Sequence, residues 1–257
     1  MRSIFVIGLL ILLVSCNKTK TPEPIPTPDP YTAPVLQMKF HHKTGANNFS
    51  FGDEFTDDFG TKFNFNRASV YISRPIFMGH SLSDTVFKAT NTYFLVTPAK
   101  ETYSIGTVSP GHYHYCTFGI GVDSVVNHSD PSIYPAGHAL AYQSPSTHWN
   151  WNSGYIFTIL EGQYDGNNDG IIDPNNSASD PMFTYHIGLN SLYRQQPNLV
   201  VHADAEVNKT TTFSFTIDYL KFLEGVDIKN NPSTHSMTNY SLAEQIANNS
   251  LQAITAH

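Results

Sequence analysis

Residues 210–217 read Thr-Thr-Thr-Phe-Ser-Phe-Thr-Ile, with polar and apolar side chains alternating from Thr212 to Ile217. A period of two suits an extended strand with one buried face and fits no helix. Shorter runs of the same kind recur: Val35 to Phe40, Phe49 to Phe55, Phe63 to Phe65, Ala68 to Ser73, Tyr93 to Val96, His112 to Val122, Ile156 to Leu160, Phe183 to Gly188 and Leu199 to His202. Turn signals such as Asp58-Phe59-Gly60 and Ser109-Pro110-Gly111 separate them. Only Ser241 to Thr255 carries apolar residues at helical spacing, with Leu242, Ile246, Leu251 and Ile254. The pattern predicts a mainly β fold: an antiparallel β-sandwich or barrel-like domain with long loops and a short C-terminal helix.

The first 34 residues do not share this pattern. Met1-Arg2 is a positive start, Ile4 to Val14 is an apolar run too short to span a bilayer comfortably, and Leu13-Val14-Ser15-Cys16 resembles a bacterial lipobox. Residues 1–15 are therefore expected to be a lipoprotein signal peptide, with Cys16 carrying the lipid. Residues 16–34 form a tether with six prolines and almost nothing to bury. The folded domain is expected over 35–257, on a bacterial membrane at the periplasmic face or the cell surface. Lipidation of Cys16 leaves Cys116 as a lone thiol, which excludes an intrachain disulfide and favours a buried residue over a reactive one. The formal charge of −7 becomes about −8 once Arg2 is removed, and no basic cluster is present, which argues against a nucleic-acid partner.

The densest stretch runs from His148 to Gly188. It holds both tryptophans, Trp149 and Trp151, and an Asp/Asn-rich loop. Asp165-Gly166-Asn167-Asn168-Asp169-Gly170-Ile171-Ile172-Asp173 matches the D-x-[DN]-x-[DN]-G pattern of a calcium loop. Oxygens of Asp165, Asn167, Asp169 and Asp173, with the Ile171 carbonyl, converge on a hard cation in such loops, and Gly170 permits the sharp turn. The twelfth position is Asn176 rather than a bidentate Glu, so the loop is expected to be a structural staple and not an EF-hand switch.

The chain has twelve histidines. His41, His42, His80, His128, His202 and His257 read individually as ordinary polar residues, with His138, His148 and His235 as outside candidates for ligands. His112 and His114 differ, because i and i+2 in a strand point to one face and need only one or two further ligands from a neighbouring strand. His186, in another strand-like run, is a candidate for that place. Imidazoles without thiols or carboxylates suit copper or zinc. Trp149 and Trp151 read as packing residues or as an aromatic wall beside a metal. Hydrolase motifs, metalloprotease motifs and phosphate loops are absent, and Glu161 has no evident partner, so an enzymatic role lacks support.

Several motifs together resemble the MbnP-like, MopE-related family of bacterial copper-binding proteins. They are Tyr71-Ile72-Ser73, Pro110-Gly111 leading to Phe118-Gly119-Ile120-Gly121-Val122-Asp123, Asn127-His128, Trp149-Asn150-Trp151-Asn152-Ser153-Gly154-Tyr155, Leu160-Glu161-Gly162 and Tyr185-His186-Ile187-Gly188. The resemblance implies an exported β domain with one copper held by two histidines and a kynurenine made from tryptophan. It also implies calcium, and a di-haem peroxidase-type partner for the oxidation. The family's histidine pair is best matched by His114 and His186. The place of the modified tryptophan falls on His112, which cannot become kynurenine, so a three-histidine site of His112, His114 and His186 is expected. Trp149 or Trp151 is otherwise the residue for oxidation. The expected function is a lipid-anchored copper-binding protein for acquisition, storage or delivery. The alternatives are a metal-free β-sandwich binding a glycan or protein, and a partner whose tryptophan is the oxidised substrate or an electron relay.

Overall fold

A computed structural model describes residues 31–80, 85–150 and 152–257. The signal peptide, Cys16, residues 17–30 of the tether and Trp151 lie outside the described residues. The elements below all belong to the unit Thr32–His257.

Two sheets face each other. In the smaller one, the strand Val35–Thr44 buries every second residue: Leu36, Met38, Phe40, His42 and Thr44. It pairs in parallel with Thr210–Asp218 and antiparallel with Thr102–Thr107, and Ile254–Ala256 adds to Thr210–Asp218 antiparallel. The one long parallel pair departs from a purely antiparallel plan. Parallel neighbours need a crossover, and here the intervening chain builds all of the second sheet except the short strand Ser233–Thr234.

The larger sheet is organised by the strand Lys62–Met78. The runs Phe63 to Phe65 and Ala68 to Ser73 are parts of this one 17-residue strand. Gly111–Ile120 and Gly154–Tyr164 pair with it, and Met182–Gly188 lies beyond Gly154–Tyr164. Leu199–Ala205 pairs with Gly111–Ile120.

Phenylalanines fill the space between the sheets. Phe77 of the larger sheet stacks on Phe213 of the smaller at 4.8 Å, and Phe118 meets Phe215 edge-on at 5.5 Å. Phe215 in turn stacks on Phe40 at 5.6 Å. The helix Tyr240–Ala253 closes the domain, capped by the Asn239 side chain, which accepts from the Leu242 N–H. It buries Leu242, Ala243, Ile246 and Ala247. It stops before Ile254, which belongs instead to the edge strand that follows, so the apolar spacing runs on past the helix. The architecture is a mainly β, sandwich-like domain with long loops and a short C-terminal helix, as the sequence pattern implies.

Cys116 is fully buried in this core, and burial pushes its thiol pKa well up, which keeps it protonated and unreactive. Among the described residues, no helix is long and apolar enough to cross a membrane.

Phe215 is fully buried between rings of both sheets. Phe215→Ala is expected to cost about 3–5 kcal/mol of unfolding free energy by urea denaturation. A cost near zero would mean that the two sheets do not pack through this ring.

Candidate metal centre

His112 and His114 lie on Gly111–Ile120, and their imidazoles point to its solvent side while Tyr113 between them is fully buried. The neighbouring strand completes the site through a β-bulge. Leu199 pairs with Cys116 and Val200 with Tyr115, but Ala203 then pairs with Tyr113, so Val201 and His202 together face the single residue His114. Without the extra residue His202 would stand opposite buried Tyr113 and point inward; the bulge turns it out beside His114. The potential ligand atoms of His112, His114 and His202 all lie within 4.8 Å of one another. The His114 and His202 rings are nearly perpendicular, with centroids 4.1 Å apart.

Two further groups surround the cluster. His80, just past the end of Lys62–Met78, brings its ring to 5.4 Å from that of His114. Asp204 Oδ1 lies 2.8 Å from His112 Nδ1. When that nitrogen donates to the carboxylate, Nε2 carries the lone pair, a common arrangement behind metal-binding histidines. Partial burial and then the neighbouring imidazoles of His202, His80 and His112 lower the His114 pKa. Three imidazoles converging on one open face fit copper or zinc.

His186 is not part of this cluster. Its strand, Met182–Gly188, pairs with Gly154–Tyr164, which places His186 level with Ser69 of Lys62–Met78, whereas Gly111–Ile120 meets the same edge further along, with Tyr115 opposite Met78. The stretch of long strand from Ser69 to Met78 amounts to roughly 30 Å, so the expected set His112, His114 and His186 does not share one ion in this arrangement. Instead His186 Nε2 lies 2.7 Å from Glu161 Oε1, and its Nδ1 lies 3.2 Å from His235 Nδ1. Arg67 Nη1 donates to the same Glu161 oxygen at 3.0 Å. The partner that the sequence left unassigned for Glu161 is therefore double, a guanidinium and an imidazole.

Trp149 belongs to this second group. Its indole packs on Gly188, where a Cβ would sit 2.6 Å from Trp149 Cζ3. Trp149, His235 and Met237 line one hollow, so Trp149 is placed with the His186 and His235 pair.

The other histidines have structural partners. His42 Nδ1 meets Tyr219 Oη at 2.9 Å, His138 stacks on Tyr134, and His148 packs edge-on against Tyr155. His202 is the member of the cluster that spacing along the chain does not reveal. Its own run gave no signal, because the bulge that re-aims it is a property of pairing.

The Asp/Asn loop joins Gly154–Tyr164 to Met182–Gly188. Asp165 is buried, and its two oxygens accept from the N–H groups of Asp169 and Gly170 at 3.2 and 2.8 Å. Asp169 accepts from Ile171 N–H, and Asn167 Nδ2 donates to Asp169 Oδ2 at 2.7 Å. Gly170 adopts φ +85°, which glycine tolerates best. The loop is wound around its acidic side chains as the D-x-[DN]-x-[DN]-G pattern predicts.

With this geometry in view, comparison with known proteins adds one decisive match: the family model MbnP covers residues 33–238. The chain belongs to the MbnP family. That family is linked to copper handling. Among solved structures, MbnP from Methylosinus trichosporium is similar over 79% of this chain and 83% of that chain, at 15% identity and a TM-score of 0.49. A search of curated proteins returned no match.

The Glu161 contacts make a pH prediction. The His186 hydrogen bond, chiefly, and the Arg67 charge hold the Glu161 carboxyl below its ordinary pKa, against the opposing effect of burial. A depressed folded-state pKa contributes stability that is present above the unfolded-state value and lost as the pH falls through the folded-state value. Glu161→Gln is expected to destabilise by about 1 kcal/mol at pH 7. The gap to wild type should close in urea titrations below the carboxylate range; a gap unchanged down to pH 3 would contradict the ion pair.

Proposed function

We propose that this MbnP-family protein binds copper through His112, His114 and His202, and serves copper acquisition, storage or delivery rather than turnover. The observation that carries the reading is the convergence of three imidazoles within 4.8 Å on an open face of the larger sheet. Their nitrogens supply the donor chemistry that copper favours, and Asp204 holds His112 in one tautomer. Exposure of His112 and His202 suits a site that exchanges its ion with a partner. The signal peptide and lipobox support attachment to a bacterial membrane through Cys16, at the periplasmic face or the cell surface. The loop Asp165 to Asp173 is read as a calcium staple that fixes the long connection beneath the second histidine pair.

A second reading places copper at His186 and His235. It is favoured by the close approach of their Nδ1 atoms, 3.2 Å apart, with Trp149 and Met237 in the adjoining hollow. In that reading Trp149 is the residue a di-haem peroxidase-type partner would oxidise. A metal-free sandwich that binds a glycan or protein remains the alternative from a different class, and it predicts no copper at all.

Metal analysis separates these readings. Protein purified without chelators after growth with copper is expected to hold about one copper per chain. His114→Ala and His202→Ala should each lose the copper while keeping the wild-type melting temperature of the metal-free protein. His186→Ala should retain it. Loss in His186→Ala and retention in His114→Ala would transfer the site to the second pair, and a wild-type protein without copper would leave the surface-binding alternative.

A further inference from the structure

The chain enters the domain beside the three-histidine face. Thr32 is pinned to the turn that follows Leu199–Ala205. Its N–H donates to Asn208 Oδ1 at 2.8 Å, its hydroxyl donates to the same oxygen, and its carbonyl accepts from the Asn208 N–H at 2.9 Å. Asn208 holds φ +62°, a conformation asparagine adopts more readily than most residues. Two residues on, the Pro34 carbonyl accepts from the Val108 N–H at 2.9 Å, and the Val35 N–H donates to the Lys209 carbonyl at 3.1 Å. The incoming chain is thus seated on both connections that lead to the metal centre. From there the ladder runs straight to the histidines: Ala205 pairs with Gly111 and Asp204 with His112. Asn208 and Asp204 are four residues apart, a separation of at most about 14 Å.

The opposite end of the larger sheet is far from this corner. Lys62–Met78 finishes beside it, with Met78 opposite Tyr115, while its other end pairs Phe63 with Tyr164, where the Asp/Asn-rich connection leaves the sheet. Those 17 residues of strand amount to roughly 50 Å. The chain between the lipobox cysteine and the entry point sets a second length. Cys16 and Thr32 are sixteen residues apart, and sixteen residues span no more than roughly 55 Å at full stretch.

We propose that the face bearing His112, His114 and His202 is turned toward the membrane that holds the protein, and that its ion is exchanged there with a protein embedded in or anchored to the same membrane. This rests on the copper and lipid-anchor readings given above and adds to them an orientation and a kind of partner. A chain that enters at one end of the domain draws that end toward the anchor. Turning the domain over would require the chain from Cys16 to run the length of the larger sheet nearly at full stretch, and a stretched chain loses conformational entropy. The face itself suits a protein partner. Val200, 54% exposed, pairs with Tyr115, whose ring lies 4.4 Å from that of His114, so apolar and aromatic surface borders the imidazoles.

Energy transfer on the full-length lipidated protein tests the orientation. The protein is purified from bacterial membranes and inserted into phosphatidylcholine vesicles that carry an acceptor dye on some headgroups. A donor dye is placed on Ser109→Cys, beside the entry point, or on Ser177→Cys, in the connection at the far end; both serines are exposed, and Cys116 is buried and stays unlabelled. Transfer from Ser109→Cys is expected to exceed that from Ser177→Cys severalfold, and inserting a second copy of residues 17–30 should shrink the difference. Equal transfer, or stronger transfer from Ser177→Cys, would overturn the orientation. Protein that stays off the vesicles would overturn the lipid-anchor reading, and the proposal with it. The exchange is tested with an iminodiacetate chelator lipid as the copper acceptor. Copper-loaded protein should pass its ion severalfold faster to chelator lipid in its own bilayer than to the same lipid in separate vesicles. Equal rates would overturn exchange at the membrane side. Wild-type protein that holds no copper would overturn the exchange together with the copper reading, while the fluorescence still decides the orientation.

Discussion

The strand Lys62–Met78 has neighbours along nearly all of both edges. On one side lie Glu54–Thr56, Tyr93–Val96 and Thr85–Lys88; on the other lie Gly154–Tyr164 and Gly111–Ile120. Buried backbone groups must be paired, so this strand's ladders fix the register of five others. Both imidazole groups inherit their positions from it. Gly111–Ile120 carries His112 and His114 on one half of the edge. Gly154–Tyr164 carries Glu161 on the other half, opposite Arg67 of the long strand itself. The distance between the two groups is thus a consequence of the length of that strand, with Arg67 near one end and Met78 at the other.

Much of this plan is legible in the sequence because period-two alternation survives wherever one face is buried. Val35–Thr44 and Thr210–Asp218 are plain for that reason. What alternation cannot convey is which strands meet. The parallel pairing of those two strands depends on chain returning across the whole second sheet. The union of Phe63 to Phe65 with Ala68 to Ser73 is hidden because Asn66 and Arg67 interrupt the apolar pattern; Arg67 sits there to meet Glu161 on the neighbouring strand. At the C-terminus, Ile254 keeps the helical phase yet turns into an edge strand, because the smaller sheet has an open ladder beside Thr210–Asp218 for it to fill.

The candidate sites divide in the same way. The i, i+2 spacing of His112 and His114 and the Asp/Asn-rich loop are local features, and the fold keeps the pair on one strand and the loop between two adjacent strands. His186 and His202 exchange roles relative to expectation for a non-local reason. His186 looks like a strand histidine available to the pair, but its strand joins the edge of Lys62–Met78 near Ser69, far from the Met78 end where His112 and His114 stand. His202 carries no pattern of its own and is delivered by a bulge between Val200 and Ala203.

The two kinds of donor set are kept apart by the supports each requires. An imidazole cluster needs neutral rings held at fixed angles, and pleated strands supply that with side chains standing off one face. The His112 carboxylate partner, Asp204, sits directly opposite it in the same ladder, so the imidazole and the group that orients it come from one pairing. A hard-cation shell needs many oxygens at close range, including backbone carbonyls, which ladder bonds would otherwise occupy; it therefore belongs in a loop where the chain leaves the sheet. The connection from Tyr164 to Met182 is long enough to fold around its own carboxylates, and its two ends are adjacent strands. An ion there would brace the hairpin that carries Glu161 and His186. A loosened loop would disturb that pair before it reached the three-histidine face, because that face stands at the Met78 end of Lys62–Met78 while the loop leaves the sheet beside Phe63 at the other.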